Sequence, residues 1–399
     1  MKLPIIVEYI LNKLFENGYR ADVVGGPVRD YLRGKEPSDY DIATSAEPCE
    51  VKRIFSGHRT VDTGIKHGTV SLIIDREQYE ITTYRKDGEY KDSRHPETVE
   101  FTDDITADLA RRDFTVNSMA YNPRDGITDP YGGRADLEIG VIRAVGDPEC
   151  RFREDALRIL RAVRFASVLG FSIDSATASA MRRCAHLLKN VSAERIYTEW
   201  YKLLSGDHRL DIIAEYNDVL SVVIPEIQGA VLPDINLSRR ASPFILQLAI
   251  FALTANDPSI AYENAMKRLK TDRKTRDLGA KVLLALSDDP PNDDSSLGKQ
   301  LFRLGEECAR NLTELNILLG RAEKSSFDRF DKYVKDGKPY RISDLAIGGR
   351  ELVDAGILGV ATGACLSELL TLVIEGKLDN CRASLLAYIS QRSRADTEK

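Results

Sequence analysis

The sequence predicts an α+β protein of several domains, with a mixed α/β part first and an all-helical part after it. The chain has 399 residues, which exceeds one typical domain and is long enough to bury sizeable cores. Up to about residue 150, short runs of β-branched residues alternate with glycine-rich turns, a pattern typical of strands. From Glu154 onward, apolar residues recur every three or four positions, as in Leu157, Leu160 and Val163, which indicates helices.

Four strands are predicted in the first part, and a linker is predicted in the second. The linker is Ser287–Ser296, where two prolines and four aspartates leave little to bury and exclude a helix, so we expect a domain boundary there. The predicted strands are Ala21–Val24, Asp39–Thr44, Thr69–Ile74 and Tyr79–Tyr84.

Charge and hydropathy narrow the class of protein. With 56 basic and 62 acidic residues the net charge is -6, so the whole chain gives no sign of a nucleic-acid binder. Any RNA contact must therefore come from local basic segments. The longest nearly apolar run, Phe244–Ala255, is well short of the roughly 20 residues that span a bilayer, so no transmembrane helix is predicted.

The N-terminus and the cysteines point to the same compartment. No cleavage site of small residues follows the N-terminal segment, so we expect no signal peptide and a cytoplasmic protein. The six cysteines lie far apart without a C-x-x-C motif, which favours free thiols over disulfides or zinc ligands.

A glycine pair follows the first predicted strand. Gly25 and Gly26 form a turn where the backbone can approach a ligand, and Pro27 suits the first position of a helix. Backbone N–H groups at a helix N-terminus attract anions, and Arg29, one turn later, can add a contact to a triphosphate. An ordinary tight turn between a strand and a helix is the alternative interpretation.

Two aspartates in the second predicted strand have the spacing of a metal site. Because side chains alternate along a strand, Asp39 and Asp41 point to one face and repel each other unless a cation lies between them. Their hard oxygen atoms suit two Mg²⁺ ions, which can activate an attacking hydroxyl and stabilise a leaving pyrophosphate. A solvated loop is the alternative. Glu80 is a candidate third carboxylate, for which an ion pair with lysine or arginine is the alternative.

These residues resemble the signature of a known family. The segments GGPVRD at 25–30 and DYDIAT at 39–44 look like those of the nucleotidyltransferases of the DNA polymerase β superfamily. Within it, the chain resembles the class II CCA-adding enzymes (tRNA nucleotidyltransferases) and the bacterial poly(A) polymerases. Further similar blocks follow in the family's order at 63–74, 79–85, 108–123, 129–137 and 153–171, and then at 344–359 and 376–380.

The resemblance implies a domain order, an activity and partners. The expected domains are a palm-like nucleotidyltransferase head at 1–145, a helical neck at 146–205, a helical body at 206–290 and a tRNA-binding helical tail at 291–399. The expected activity is addition of C, C and A to the tRNA 3′ end from CTP and ATP, without a nucleic-acid template and with release of pyrophosphate. The sequence leaves open whether the protein is a monomer or a homodimer.

A charged cluster precedes an amphipathic pattern. Phe114, Val116 and Met119 recur at helical spacing, so the preceding residues Arg111, Arg112 and Asp113 are predicted to lie at the start of a helix. The resemblance implies that this cluster contacts the sugar and phosphates of the nucleotide. A capping aspartate beside two surface arginines is the alternative.

Asp155 and Arg158 are predicted to select the base. Glu154–Arg158 is expected to open a helix, which places Asp155 and Arg158 on one face as an acceptor beside a donor. Cytosine and adenine present an exocyclic amine to such an acceptor, whereas guanine and uracil present a carbonyl. The resemblance implies that the pair acts as a protein template and that Arg161 and Arg164 line the nucleotide site. A surface or phosphate contact is the alternative for Arg164.

A polar loop and two basic segments complete the site predictions. The loop Asp87–Pro96 resembles one that, in this family, accompanies the switch from adding C to adding A, so it favours the complete activity. Arg321–Arg341 and Lys267–Arg276 are predicted to bind RNA through their basic side chains, with a solvated helix face as the alternative. The segment Lys267–Arg276 contains six basic residues, which are Lys267, Arg268, Lys270, Arg273, Lys274 and Arg276.

Three alternatives to complete CCA addition remain open. A bacterial poly(A) polymerase shares the motifs of the first part, and a partial enzyme would add only CC or only A. A tRNA-binding or nucleotide-sensing protein would keep the fold without turnover.

Overall fold

The computed structural model describes residues 1–88, 98–228 and 241–397. The chain forms two compact units, Met1–Gly229 and Ala230–Lys399. The first unit combines a mixed sheet with helices, whereas the described part of the second contains helices and no strand. The predicted α+β class is confirmed.

The first unit is built on a mixed sheet of seven strands. Its nine N-terminal strands are β1 (Ala21–Val24), β2 (Ile42–Thr44), β3 (Arg59–Gly64), β4 (Thr69–Ile74), β5 (Glu77–Thr83), β6 (Arg85–Asp87), β7 (Val99–Phe101), β8 (Ala120–Asn122) and β9 (Gly126–Thr128). The sheet has the order β3-β4-β5-β2-β1-β8-β9, and β6 pairs with β7 in a separate hairpin. Within the large sheet β2 and β5 are parallel, and the other pairs are antiparallel.

All four predicted strands are present, and one of them, β2, is shorter than predicted. β1 and β4 have the predicted bounds, and β5 is shifted slightly toward the N-terminus. The prediction that Asp39–Thr44 is a strand is wrong at its start, because β2 begins only at Ile42. Asp41 still lies beside β1, since its carbonyl accepts a hydrogen bond of 3.0 Å from the N–H of Val24.

Helices cover both faces of this sheet. In the first unit they are α1 (Ile5–Glu16), α2 (Gly26–Leu32), α3 (Pro48–Ile54), α4 (Ile105–Ala110), α5 (Gly133–Ile139), α6 (Pro148–Glu154), α7 (Leu157–Leu169), α8 (Ser175–Cys184), α9 (Ala193–Leu204), α10 (Arg209–Glu215) and α11 (Asn217–Leu220). Apolar residues of α1 and α3 pack in one core with Val23. Leu109 of α4 packs in another with Val24. Since neighbouring residues of a strand point to opposite faces, the two cores lie on opposite sides of β1.

A buried carboxylate ties β1 to its neighbours. The fully buried Asp22 accepts a hydrogen bond of 2.6 Å from the Asn122 amide and another from the Tyr84 hydroxyl. A buried carboxylate requires such partners, because leaving it without hydrogen bonds would cost several kcal/mol. The network therefore holds the strand that leads into the glycine pair.

Two predicted helix starts are wrong. α4 ends at Ala110, so the cluster Arg111–Asp113 follows a helix, and the pattern after it forms only a 3₁₀ turn at Thr115–Asn117. α7 begins at Leu157, and Asp155 before it has an extended backbone with φ -143° and ψ 103°. The Asp155 carboxylate accepts a hydrogen bond of 3.1 Å from the N–H of Leu157, which stabilises this break between α6 and α7.

Two short strands and a packed pair of helices complete the first unit. β10 (Val141–Ile142) and β11 (Ser172–Ile173) form a parallel pair. α7 packs against α9. Trp200 of α9 is 2% exposed and lies in the core.

The described part of the second unit is entirely helical. Its helices are α12 (Pro243–Thr254), α13 (Pro258–Arg268), α14 (Arg273–Ala285), α15 (Asp294–Leu304), α16 (Glu306–Leu318), α17 (Ser325–Lys335), α18 (Gly349–Asp354), α19 (Val360–Ile374) and α20 (Arg382–Thr397). Aspartates that cap α13, α14 and α15 explain where these helices begin. The segment between α14 and α15 contains Pro290 and Pro291 and is not helical, but the predicted linker Ser287–Ser296 is too long, because α15 begins at Asp294. The two compact units divide at Gly229 and not at this segment.

The most apolar segment of the chain is a core helix. Six of the apolar side chains of α12, Ile245 among them, are fully buried. Across the described residues, no helix is both long and apolar enough to cross a membrane.

Candidate active site

One cleft in the first unit gathers the predicted site. It has a volume of about 480 Å³ and lies at the end of β1, beside the first turns of α2 and α7. The predicted residues that line it are Gly25, Gly26, Arg29, Asp39, Asp41, Arg111, Arg112, Asp113, Asp155, Arg158, Arg161 and Arg164.

The glycine pair forms a wall of the cleft. Gly25 has a φ of +79°, in the region that side chains rarely adopt. A Cβ atom at Gly25 would also lie only 3.0 Å from Nη1 of Arg112. Glycine is therefore required both by the turn and by the approach of this arginine. α2 follows at once and directs its first N–H groups to the same end of the sheet.

The two aspartates lie in the extended chain just before β2. Their side chains are exposed to the cleft, and Asp39 Oδ1 accepts a hydrogen bond of 3.2 Å from the Ser38 hydroxyl. Ile42 of β2 lies opposite Ile81 of β5 in a parallel pair, and Asp41 and Glu80 directly precede these two residues along the chain. Glu80 itself does not line the cleft.

The Asp41 carboxylate has a raised pKa. Although it opens to the cleft, the surrounding protein displaces much of its water, and this raises the pKa of Asp41. Arg112 acts in the opposite direction, whereas the charges of Asp39 and Glu80 raise the pKa further. Three carboxylates therefore repel one another here, and a cation would relieve that repulsion.

The described residues fit a metal through the aspartate pair. Carboxylate oxygens are the ligands that Mg²⁺ prefers. Among the described residues, no three acidic, histidine or cysteine side chains are gathered into a complete metal site. The fit therefore rests on Asp39 and Asp41, and the role of Glu80 stays a prediction.

Arg111 and Arg112 share one buried carboxylate. Asp108, which is fully buried, accepts hydrogen bonds from Arg111 Nη2 at 2.8 Å and from Arg112 Nη2 at 3.3 Å. Burial acts to raise the pKa of Asp108, but the two guanidinium groups outweigh it and hold that pKa below its usual range. Asp108 thus stays ionised and fixes both arginines at the cleft.

Asp113 holds a third arginine. Its Oδ2 accepts from Arg161 Nε at 2.7 Å, and its Oδ1 accepts from the Asn117 amide at 3.3 Å. Burial again favours the neutral acid, but Arg161 outweighs it, so the pKa of Asp113 lies below its usual range. Asn117 connects this pair to α2, because its Oδ1 accepts a hydrogen bond of 2.7 Å from Arg29.

The predicted base-selecting pair, Asp155 and Arg158, is arranged differently from the prediction. Asp155 and Arg158 both line the cleft, but each is held by another residue. Arg158 Nη1 lies 2.6 Å from Glu154 Oε2, and its Nη2 donates to the carbonyl of Arg111 at 2.8 Å. Asp155 Oδ2 accepts from Arg195 Nη2 of α9 at 2.7 Å. The acceptor and the donor are thus positioned independently.

A second charged residue of α9, Glu199, lies four residues after Arg195 and is paired with Arg164 of the cleft. Glu199 Oε2 lies 2.9 Å from Arg164 Nε, and both side chains are largely buried. Burial lowers the pKa of Arg164, and the charge of Glu199 acts against this effect. Because residues four apart share a helix face, Arg195 and Glu199 form one charged face of α9 toward the cleft.

Sequence reasoning missed several residues of the cleft. Arg195, Asn117 and Phe165 line it but were not predicted. The four-residue spacing of Arg195 and Glu199 is visible in the sequence, but their partners lie far away along the chain. No local pattern identifies such partners, since only the packing of α9 on α7 brings them together.

The cleft carries the charge that a nucleoside triphosphate requires. Seven arginines and five aspartates line it. Paired arginines keep free N–H donors, and these suit phosphate oxygens. Asp39 and Asp41 together with these guanidinium groups can therefore bind a metal-complexed triphosphate.

The basic segment Lys267–Arg276 belongs to the second unit, at the junction of α13 and α14. Lys267, Arg273 and Lys274 are exposed and form ion pairs with Glu263, Asp277 and Glu307. In the other basic segment, Arg321–Arg341, Phe330 and Tyr333 are buried. Most of the loop Asp87–Pro96 lies outside the described residues.

Comparisons with known proteins cover nearly the whole chain. The Poly A polymerase head domain family matches residues 21–143, and the family "Probable RNA and SrmB- binding site of polymerase A" matches residues 170–228. The CCA-adding enzyme of Lactobacillus helveticus is 36% identical over 95% of both chains. That of Geobacillus thermodenitrificans is 35% identical over 96% of both chains.

Solved structures agree with these relatives. The crystal structure of the Bacillus stearothermophilus CCA-adding enzyme in complex with CTP matches with a TM-score of 0.82 and 31% identity, over 100% of both chains. The Thermotoga maritima CCA-adding enzyme complexed with tRNA shares the fold, with a TM-score of 0.66 over 97% of this chain and 94% of that one, at 22% identity. The resemblance predicted from the motifs is confirmed, and the chain belongs to the family of CCA-adding enzymes.

Proposed function

We propose that this enzyme adds C, C and A to the 3′ end of tRNA from CTP and ATP and releases pyrophosphate. The observation that carries the proposal is the single cleft, which joins a carboxylate pair, a glycine turn and seven arginines to the acceptor Asp155. Relatives that match over nearly their full length support the same activity.

The carboxylate end of the cleft is the proposed reaction centre. Asp39 and Asp41 would hold two magnesium ions, with Glu80 as a further carboxylate nearby. When bound, the ions lower the pKa of the tRNA 3′-hydroxyl and neutralise charge on the leaving pyrophosphate. The aspartates orient the hydroxyl toward the α-phosphate, and the walls of the cleft exclude competing water.

The remaining residues bind and select the nucleotide. Gly25 and Gly26 let the triphosphate approach the backbone, and Arg29, Arg111 and Arg112 contact the sugar and phosphates, with Asp113 fixing Arg161 beside them. Asp155 accepts from the exocyclic amine of cytosine or adenine, while Arg158 donates to a ring acceptor of the same base. Arg161 and Arg164 complete the wall. One protein surface therefore accepts C and A without a template strand.

The second unit is proposed to grip the tRNA. The exposed basic residues at the junction of α13 and α14 suit backbone phosphates, which require charge rather than a fixed geometry. The tail at 291–399 keeps its proposed role in tRNA binding. The proposed compartment is the cytoplasm, which agrees with six free cysteines in the structure.

The test uses a tRNA that ends at its discriminator base. The purified full chain is incubated with this tRNA, magnesium and CTP, ATP or both, and the 3′ ends are sequenced. CCA with both nucleotides and CC with CTP alone are expected. Long A tracts would indicate a poly(A) polymerase, CC with both nucleotides a partial enzyme, and no extension a binding protein.

A further inference from the structure

Three arginines of the cleft meet at one aromatic ring. The Cζ atom of Arg164 lies 3.9 Å from the centroid of the Phe165 ring, and those of Arg29 and Arg161 each lie 5.4 Å from it. All three distances are within the roughly 6 Å over which a guanidinium group is attracted to the negative face of a ring. Phe165 is 8% exposed and lines the cleft.

The ring joins cations from two separate helices. Arg29 belongs to α2, whereas Arg161 and Arg164 belong to α7. Three positive groups so close together repel one another, and the ring offsets part of that repulsion. Phe165 is itself fixed, because it packs edge-on against the fully buried Phe114 with centroids 5.9 Å apart.

The ion pair of Arg164 does not orient it fully. Arg164 Nε and Glu199 Oε2 are 2.9 Å apart, yet neither atom makes an aligned hydrogen bond. The pair therefore neutralises charge but does not define the plane of the guanidinium group. The Phe165 ring, whose centroid lies 3.9 Å from Arg164 Cζ, is a further contact of this guanidinium group.

We propose that Phe165 is a positioning residue for nucleotide binding. Its ring orients Arg164 and adds a contact to Arg29 and Arg161, which Asn117 and Asp113 also hold, so that the three guanidinium groups reach the bound nucleotide together. The proposal rests on the proposed function, because it takes CTP and ATP as the ligands of the cleft. It predicts that weakening the ring face lowers the affinity for both nucleotides in similar proportion.

The experiment replaces Phe165 with 3,4,5-trifluorophenylalanine in the full chain. This side chain keeps the shape of phenylalanine but has a less negative face, so packing is preserved. The dissociation constants of CTP and ATP, measured by calorimetry with magnesium, are each expected to rise about three- to ten-fold. The melting temperature should stay close to that of the unsubstituted protein.

Phe171 provides a matched control. Arg33 Cζ lies 5.2 Å from the centroid of its ring, but neither residue lines the cleft. The same replacement at Phe171 should leave both nucleotide affinities unchanged. A Phe165→Leu variant, which removes the ring face, should weaken binding at least as much as fluorination does.

Three results would overturn the proposal. They are unchanged affinities after fluorination of Phe165, an equal loss after fluorination of Phe171, or a loss that appears only with a lowered melting temperature. Failure of the proposed function has a different signature: the unsubstituted protein would bind CTP but extend no tRNA. The comparison of affinities would still decide the role of Phe165 in that case.

Discussion

The nucleotide cleft and the basic segment Lys267–Arg276 use the same kinds of charged residue in opposite ways. In the cleft, each of several arginines is held by a specific carboxylate and is partly or largely buried, as in Arg161 with Asp113. In the basic segment, Arg273 and Lys274 are 86% and 77% exposed, and their partners are exposed as well. Exposed ion pairs contribute little to stability.

This difference separates two kinds of recognition. A base edge must be read with atomic accuracy, so the groups that read it require fixed positions. A phosphate backbone requires charge near its path, so mobile side chains are sufficient. Charge changes in the cleft should therefore alter chemistry, selectivity and stability, whereas charge changes in the basic segment should alter tRNA affinity and its salt dependence.

The largest expected effect is that of Asp41→Asn. The substitution keeps the shape of the side chain but removes the negative charge that binds the metal ions. Metal ions stabilise such a transition state by several kcal/mol, so addition of every nucleotide should fall by roughly a thousand-fold. The measurement is incorporation of CTP and ATP into tRNA ending at the discriminator base. Asp62→Asn, at an exposed ion pair with Lys52, is the matched control and should retain activity. Incorporation retained by Asp41→Asn would remove this residue from the reaction centre.

Asp155→Ala should act on selectivity rather than on tRNA binding. Loss of a charged acceptor for the base amine is worth about 1.5–3 kcal/mol, so discrimination against UTP and GTP should fall by about ten- to a hundred-fold. Competing nucleotides are supplied in pairs, and the 3′ ends are sequenced, while the KM for tRNA serves as the control. An unchanged preference for C and A would contradict the assigned role.

Asp113→Asn tests whether the paired charges of the cleft stabilise the fold. The change leaves Arg161 without its carboxylate, and we expect the free energy of unfolding at neutral pH to fall by about 2 kcal/mol. Because the folded-state pKa of Asp113 lies below its ordinary value, its ionised form stabilises the fold at neutral pH. This contribution is lost only as the pH falls through the lowered pKa.

The pH dependence of this variant has a defined sign. The difference in unfolding free energy from the unsubstituted protein should stay constant from about pH 7 to about pH 5 and shrink below about pH 4. Asp218→Asn, at the exposed ion pair with Arg182, should change stability by less than roughly 0.5 kcal/mol. A difference that grows toward acid pH would show that the carboxylate does not stabilise the fold.

Arg195→Gln should have a smaller effect than Asp155→Ala. The arginine orients Asp155 Oδ2 at 2.7 Å, and glutamine keeps a donor without the charge. Discrimination against UTP should fall by about three- to ten-fold, in line with the loss of one charge-assisted hydrogen bond. In the background of Asp155→Ala the same substitution should have almost no further effect on selectivity, since its target is gone. Independent effects in the double variant would show that Arg195 acts elsewhere.

The sequence was sufficient to predict twelve of the residues that line the cleft but not how they are held. Gly25, Asp39, Arg111 and Asp155 belong to separate motifs, and the fold brings these segments together at the end of β1, an inner strand of the sheet. The partner of Asp155 was missed because Arg195 lies on another helix, and its contact depends on helix packing.

The local errors have local causes. A helix was predicted through Asp155, but the carboxylate caps the N–H of Leu157 and holds the backbone extended instead. Aspartate competes with the backbone for such hydrogen bonds, which helical periodicity alone does not detect. The predicted strand Asp39–Thr44 began three residues too early, because composition does not show at which residue the backbone pairing with the neighbouring strand begins.

The smallest expected effect belongs to the basic segment. Arg273→Gln and Lys274→Gln together should raise the KM for tRNA about two- to five-fold, because exposed charges at phosphates each contribute little. The slope of log affinity against log salt concentration should fall by about one for each phosphate contact that is lost, while the KM for CTP and the melting temperature stay unchanged. Lys52→Gln with Arg53→Gln removes two equally paired charges from the first unit and is the matched control. If both double variants change tRNA affinity equally, the effect belongs to net charge, and α13 and α14 carry no specific RNA contact.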